Sequence, residues 1–267
     1  MPFTLIKGTF RPDFGRPDGD SIRFVPDDPS PLYRLARRGA GPKLNQINGS
    51  VQLRYEAIDT MESAALKPYS SDATKSNIEL AMSESGIGHI CSNQLDKYGR
   101  PICFVFAGDT AYRDGANDIF LDPDGIADSL NVQQLARGHA YPLFYDTLYD
   151  DLRMRCIEVS KAAKAAKLNV WAADATNAGA AWTGDPDTLP PMFPKLWRRI
   201  DKYAVDETFF DEDRPFAGLK AWMRHMSDER VSLPALGVFT GVDDLIETDD
   251  DSVRMTADPL EMVVISR

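Results

Sequence analysis

A chain of 267 residues, 43% hydrophobic and 27% charged, has the composition of a globular protein with enough apolar material for one large core or two smaller ones. No apolar run approaches the length of a membrane-spanning helix, and the first residues lack the basic lead and apolar stretch of a secretory signal. A cytoplasmic location without a membrane partner is therefore expected, and three cysteines without a CxxC pair suit a reducing compartment. The net charge of −11 sits badly with a nucleic-acid binder, whose phosphate contacts come from clustered Lys and Arg. The acid is uneven, however. Residues 174–267 hold 10 basic against 19 acidic residues, whereas residues 1–173 hold 20 against 22.

In chain order, residues 3–7 and 21–25 read as strands, and 51–58 is the strongest strand candidate because apolar and polar residues nearly alternate there. Residues 89–91 and 102–106 are further strands bounded by Gly or Pro. The segments 26–50, 67–77 and 108–128 read as loops, with Asn48-Gly49-Ser50 as a turn. A short helix is expected at 77–85. A second, at 129–137, stops at Gly138, and a third, at 147–167, carries Leu148, Leu152, Cys156, Val159, Ala163 and Ala166 on one stripe. After Trp171 the chain becomes Ala/Gly-rich and then Pro-rich, which predicts a boundary near residue 174. Beyond it, helices are expected near 195–203 and 216–226, and a strand at 262–265. Short strands followed by helices predict an α+β barrel capped by helices over 1–174, with a mixed, acidic extension over 175–267.

Three segments carry chemistry: Asp18-Gly19-Asp20-Ser21, the stretch from Arg54 to Asp59-Thr60-Met61-Glu62, and Asp96-Lys97-Tyr98-Gly99-Arg100. A hard cation such as Ca²⁺ takes oxygen ligands, which Asp20, Asp59 and a backbone carbonyl supply. A carboxylate beside the cation, Glu62, can take a proton from water. The transition state of phosphodiester hydrolysis gathers negative charge on its equatorial oxygens, and guanidinium groups such as Arg54 and Arg100 stabilise it bidentately. Each residue also has a plain structural role open to it: Asp59-Thr60 as a helix cap, Asp20 as a turn residue, Arg54 as an edge-strand charge.

The order and spacing of these segments resemble the thermonuclease (staphylococcal-nuclease-like) family, which carries Gly-Asp-Thr, then Arg separated by four residues from Asp-Thr-Pro-Glu, then Asp-Lys-Tyr-Gly-Arg. Here they stand as Gly19-Asp20-Ser21, Arg54 with Asp59-Thr60-Met61-Glu62, and Asp96 to Arg100. The resemblance continues through Asn131, Gly138 and the basic helix before Trp171, and covers roughly residues 3–174. It implies a five-stranded OB-fold barrel and a calcium-dependent nuclease that leaves 3′-phosphate ends on DNA or RNA. It further implies Asp20, Asp59 and the Thr60 carbonyl as calcium ligands and Glu62 as the residue that orients or deprotonates water. Arg54 and Arg100 would hold the phosphate, with Lys97 and Tyr98 near a terminal phosphate. The chain departs from the pattern at Met61, where a proline is usual, and at the nucleotide-stacking tyrosines: Phe144 aligns with the first, with Tyr145 and Tyr149 nearby.

The histidines His89, His139 and His225 lack zinc spacing, and Asp122-Pro123-Asp124-Gly125 reads as a turn rather than an EF-hand loop. Trp182, Trp197 and Trp222 read as core anchors. Two functions are carried forward: an active nuclease, and a catalytically silent OB-fold module that binds nucleic acid or protein. The acidic surplus of the C-terminal region leaves two readings of 175–267: an ordinary packed extension whose charges are solvated, or one that contacts the cleft and competes with phosphate there.

Overall fold

The structure, a computed structural model, describes residues 2–37, 39–226 and 229–265. The chain is mixed α+β, with five α-helices among the described residues. Its first part contributes strands β1 (Thr4–Phe10), β2 (Arg23–Pro26), β3 (Ala36–Arg37), β4 (Val51–Gln52), β5 (Arg54–Tyr55) and β6 (Ile58–Asp59). Helix α1 (Tyr69–Met82) follows, then β7 (Ile87–Leu95), β8 (Pro101–Ala107), α2 (Leu130–Ala136), β9 (Tyr141–Pro142), β10 (Phe144–Tyr145) and α3 (Asp150–Ala165). The main sheet runs β4-β2-β1-β7-β8-β5, with β3 beside β7. Its two ends, β4 and β5, are separated along the chain by Leu53 alone. One residue cannot bridge a flat six-strand path, so the sheet must curl until its ends nearly meet. Leu5, Phe10, Phe24, Leu53, Phe104 and Val105 are all buried in one hydrophobic core that lies on both faces of this nearly closed, barrel-like sheet.

Helix α2 is placed by its capping and by one amide. Ser129 accepts the Val132 N–H through its hydroxyl, and Gly138 ends the helix at φ +71°. Inside, the Asn131 side chain accepts the Val105 N–H (3.0 Å) and donates to the Glu56 and Cys103 carbonyls (2.8 and 3.0 Å). It thereby pins α2 to β8 and to the turn between β5 and β6.

The second part supplies β11 (Ala180–Ala181), α4 (Pro194–Ala204), α5 (Leu219–His225), β12 (Arg230–Leu233), β13 (Val238–Gly241), β14 (Ile246–Thr248), β15 (Ser252–Met255) and β16 (Val263–Val264). It is stitched to the first part by parallel pairing of β10 with β16 and by a shared core. In that core Met61, Tyr141, Leu143 and Trp171 pack with Phe193, Trp197, Ile200 and Val264.

Two local expectations are corrected. Residues 67–77 are not a loop, because α1 starts at Tyr69, eight residues before the helix read from sequence. Its buried face is built from Ser70, Ala73, Ser76, Asn77 and Ala81, so it carries no stripe of large apolar residues. The stretch 51–58 is not one strand either. A turn at Glu56-Ala57, with Ala57 at φ +69°, lets β5 pair with β8 while β6 turns away to pair with β9. That break carries Asp59 off the main sheet and toward the second part of the chain. In the second part both anticipated helices are present as α4 and α5. Two hairpins, β12–β13 and β14–β15, went unseen in the sequence.

Candidate active site

The Asp18-to-Ser21 turn is held from three sides. The Asp20 carbonyl accepts the Tyr55 N–H (3.0 Å) from β5. The Asn77 side chain on α1 donates to the Asp18 carbonyl (2.7 Å), and Gln134 on α2 donates to the Gly19 carbonyl (2.8 Å). Gly19 is obligatory here, since a Cβ would stand 2.6 Å from Thr60 Cγ2 and 2.7 Å from the Ala73 Cβ. This close approach sets Asp20 beside the end of β6, where Asp59 and Thr60 are buried.

Asp20 is half-buried, and its carboxyl is raised well above the usual carboxylate range. Desolvation is the main cause, reinforced by the charges of Asp18 and Asp59 and opposed by Arg54. Asp18 keeps accessible surface, yet neighbouring atoms desolvate its carboxyl and raise it as well, with Glu62 adding to the rise and Arg100 opposing it. The groups singled out in the sequence therefore lie near enough to be felt: Asp59 and Arg54 by Asp20, Glu62 and Arg100 by Asp18.

Arg54, on β5, reaches the Tyr145 hydroxyl at 3.4 Å, and its guanidinium lies 5.8 Å from that ring. Burial disfavours its charge, but Tyr145, Asp59 and Asp20 outweigh burial and raise its pKa. Arg100 closes its own turn: Asp96 accepts the Tyr98 and Arg100 N–H groups (both 2.9 Å) and the Arg100 Nε (2.7 Å). Gly99 sits there at φ +83°, where a Cβ would meet the Gly41 carbonyl. The Tyr98 ring is exposed, with Lys97 Nζ 5.1 Å and the Arg100 guanidinium 5.7 Å from its centroid. Phe144, aligned above with a stacking tyrosine, is buried in the core shared with the barrel-like sheet, and Tyr149 packs edge-on against Phe3.

One member of the site was not anticipated. Arg198, on α4, lays both terminal nitrogens on Asp59 (2.6 and 3.0 Å) and one on Glu62 (2.7 Å). Burial opposes its charge, but Asp59 and then Glu62 more than compensate and raise its pKa. Three turns of helix place it: Leu196, Trp197, Ile200 and Tyr203 bury one face of α4, leaving Arg198 half-buried toward β6. Its helical neighbours Lys195 and Arg199 both pair with Glu229, and Lys195 Nζ stands 5.6 Å from the Tyr145 ring centroid. The acidic extension thus meets Asp59 and Glu62 through a basic helix, with Lys195, Arg198, Arg199 and Lys202 against Asp201 alone. That reverses the expected sign of the contact. The clustering of four basic residues in an otherwise acidic region was the sequence signal for it.

Neither protein-family models nor curated proteins match this chain. The residues themselves must carry the functional reading. Crowded carboxylates supplying only oxygen donors are what a hard cation relieves, so Asp20, Asp59 and the Thr60 carbonyl fit Ca²⁺ in chemistry. Among the described residues no three carboxylate, imidazole or thiolate groups already form a cage, and Asp59 is committed to Arg198.

Proposed function

We propose that this chain is a divalent-cation-dependent phosphodiesterase acting on DNA or RNA, built on an OB-type barrel. The observation that supports the reading is geometric: Asp59 and Glu62 share one guanidinium, and Gly19 packs on Thr60 so that Asp20 lies beside Asp59, with Arg54 acting on Asp20 and Arg100 on Asp18. Asp20, Asp59 and the Thr60 carbonyl would hold the cation, which supplies charge neutralisation at a phosphate oxygen. Glu62 accepts a proton from a water molecule as that water's oxygen bonds to phosphorus. The bond to the 5′ oxygen breaks, and that oxygen takes up a proton from solvent, leaving a 3′-phosphate. Arg54 and Arg100 bind the equatorial oxygens, where the charge grows. Tyr98, exposed and flanked by Lys97 and Arg100, and Tyr145, beside Arg54, offer aromatic faces to the nucleotide.

A second reading, a catalytically silent module that binds nucleic acid or protein, is favoured by one observation: Arg198 neutralises both Asp59 and Glu62. Cleavage of single-stranded DNA with and without Ca²⁺ separates the two. The nuclease reading expects calcium-dependent cutting by wild type and a loss of roughly a hundredfold or more in Glu62→Gln. Absence of cutting by wild type, or equal cutting by both proteins, leaves the silent module.

A further inference from the structure

Arg198 fills the place where a cation would neutralise Asp59. Its two terminal nitrogens engage both oxygens of a carboxylate whose side chain is only 5% exposed, and one of them bridges onward to Glu62. A guanidinium and a divalent cation cannot both take the same lone pairs of a buried carboxylate, and their like charges repel at such separations. The Arg198 side chain itself is 31% exposed, so water reaches it and the guanidinium has a way out. The helix behind it is anchored independently: Trp197 Nε1 donates to the Pro186 carbonyl (2.9 Å), and Lys195 and Arg199 are tied to Glu229. Displacing the Arg198 side chain therefore leaves α4 in place.

We propose that Arg198 is a built-in competitor for the divalent cation, holding Asp59 and Glu62 in the cation-free protein and leaving Asp59 when the cation binds. The inference rests on the reading that Asp59 is a cation ligand. Arg198 then sets the free cation concentration at which the site fills. Apparent affinity falls in proportion to the fraction of molecules whose Asp59 is free. A carboxylate released only about one-tenth of the time weakens binding about tenfold. The second part of the chain thus tunes the site through a cation rather than through its surplus acid.

The experiment is direct calcium binding by calorimetry, into the millimolar range, on wild type, Arg198→Gln and the double variant Arg198→Gln/Asp59→Asn. Arg198→Gln is expected to bind Ca²⁺ about tenfold or more tightly than wild type, and the Asp59→Asn change to abolish that gain. The same variant should show a larger rise in melting temperature on adding calcium than wild type does. Equal or weaker binding by Arg198→Gln, a gain that survives Asp59→Asn, or no calcium binding by any protein overturns the proposal. If Arg198→Gln does not fold, Arg198→Lys serves: a single ammonium cannot grip both oxygens of Asp59, so a smaller gain in the same direction is expected, and no gain refutes the idea. DNA cleavage is read separately. Tighter cation binding without cutting retains the competitor and removes the nuclease; cutting with unchanged affinity does the reverse.

Discussion

Glu56 shows how much a single position can ask of the fold. It lies buried at the turn that separates β5 from β6, and burial lifts its carboxyl to about 7, against the opposing effects of the Ala57 N–H and the Arg54 charge. A raised carboxyl keeps its proton in the folded state after the unfolded chain has lost its own. Stability from this group is therefore greatest in acid and declines as pH rises from the usual glutamate range through 7, by about 3 kcal/mol in total. Glu56→Gln should remove that decline: urea unfolding at about pH 5 and about pH 8 should differ less in the variant, which gains stability mainly at the higher pH. A variant with the wild-type pH slope would assign the dependence to other groups. The identity of Glu56 was plain in the sequence. Its burial was not, because a strand read as continuous through 51–58 leaves no reason for a turn there.

At the scale of elements, the candidate site depends on helices that hold its loops by backbone carbonyls. Asn77 on α1 donates to the Asp18 carbonyl and accepts the Tyr55 hydroxyl (2.8 Å), so one side chain ties helix, turn and strand together. Asn77→Leu would strand these partners in a buried place and is expected to destabilise the fold by about 2 kcal/mol or more. If Asp20 is a cation ligand as proposed, it should also weaken calcium binding, because the turn that carries Asp20 loses its support. Denaturant unfolding and calcium titration check the two effects. Unfolding that matches wild type would show that water replaces the amide. The motifs around Asp20, Asp59 and Arg100 were readable because turn chemistry and charge sit in short strings. Asn77 and Gln134 were not, since a buried amide looks in sequence like any polar helix residue.

At the scale of the whole molecule, residues 1–174 and 175–267 share structure. Met61, Leu143 and Trp171 are buried against the second part, β10 pairs with β16, and Lys164 bonds Asp258 at 2.6 Å. A chain ending after Asp174 would expose that apolar face and leave the sheet edge at Tyr145 unpaired. Such a fragment is expected to lose its cooperative thermal transition and its near-ultraviolet circular dichroism, or to aggregate. A fragment with a sharp melt near that of the full chain would show that the first part stands alone. No helix among the described residues is long and apolar enough to cross a membrane, as the lengths of the apolar runs foretold.

What the residues determined unaided was the alphabet and the punctuation. Helices α2 to α5, the stop at Gly138 and the three charged segments follow from interactions among neighbours in sequence. Tertiary structure decided which face α4 turns toward β6, and with it the pairing of Arg198 with Asp59 and Glu62 across more than a hundred residues. Net charge could not foretell that contact. An acidic region presents whichever side its buried residues leave outward, and here Leu196, Trp197, Ile200 and Tyr203 go inward and leave an arginine facing Asp59 and Glu62.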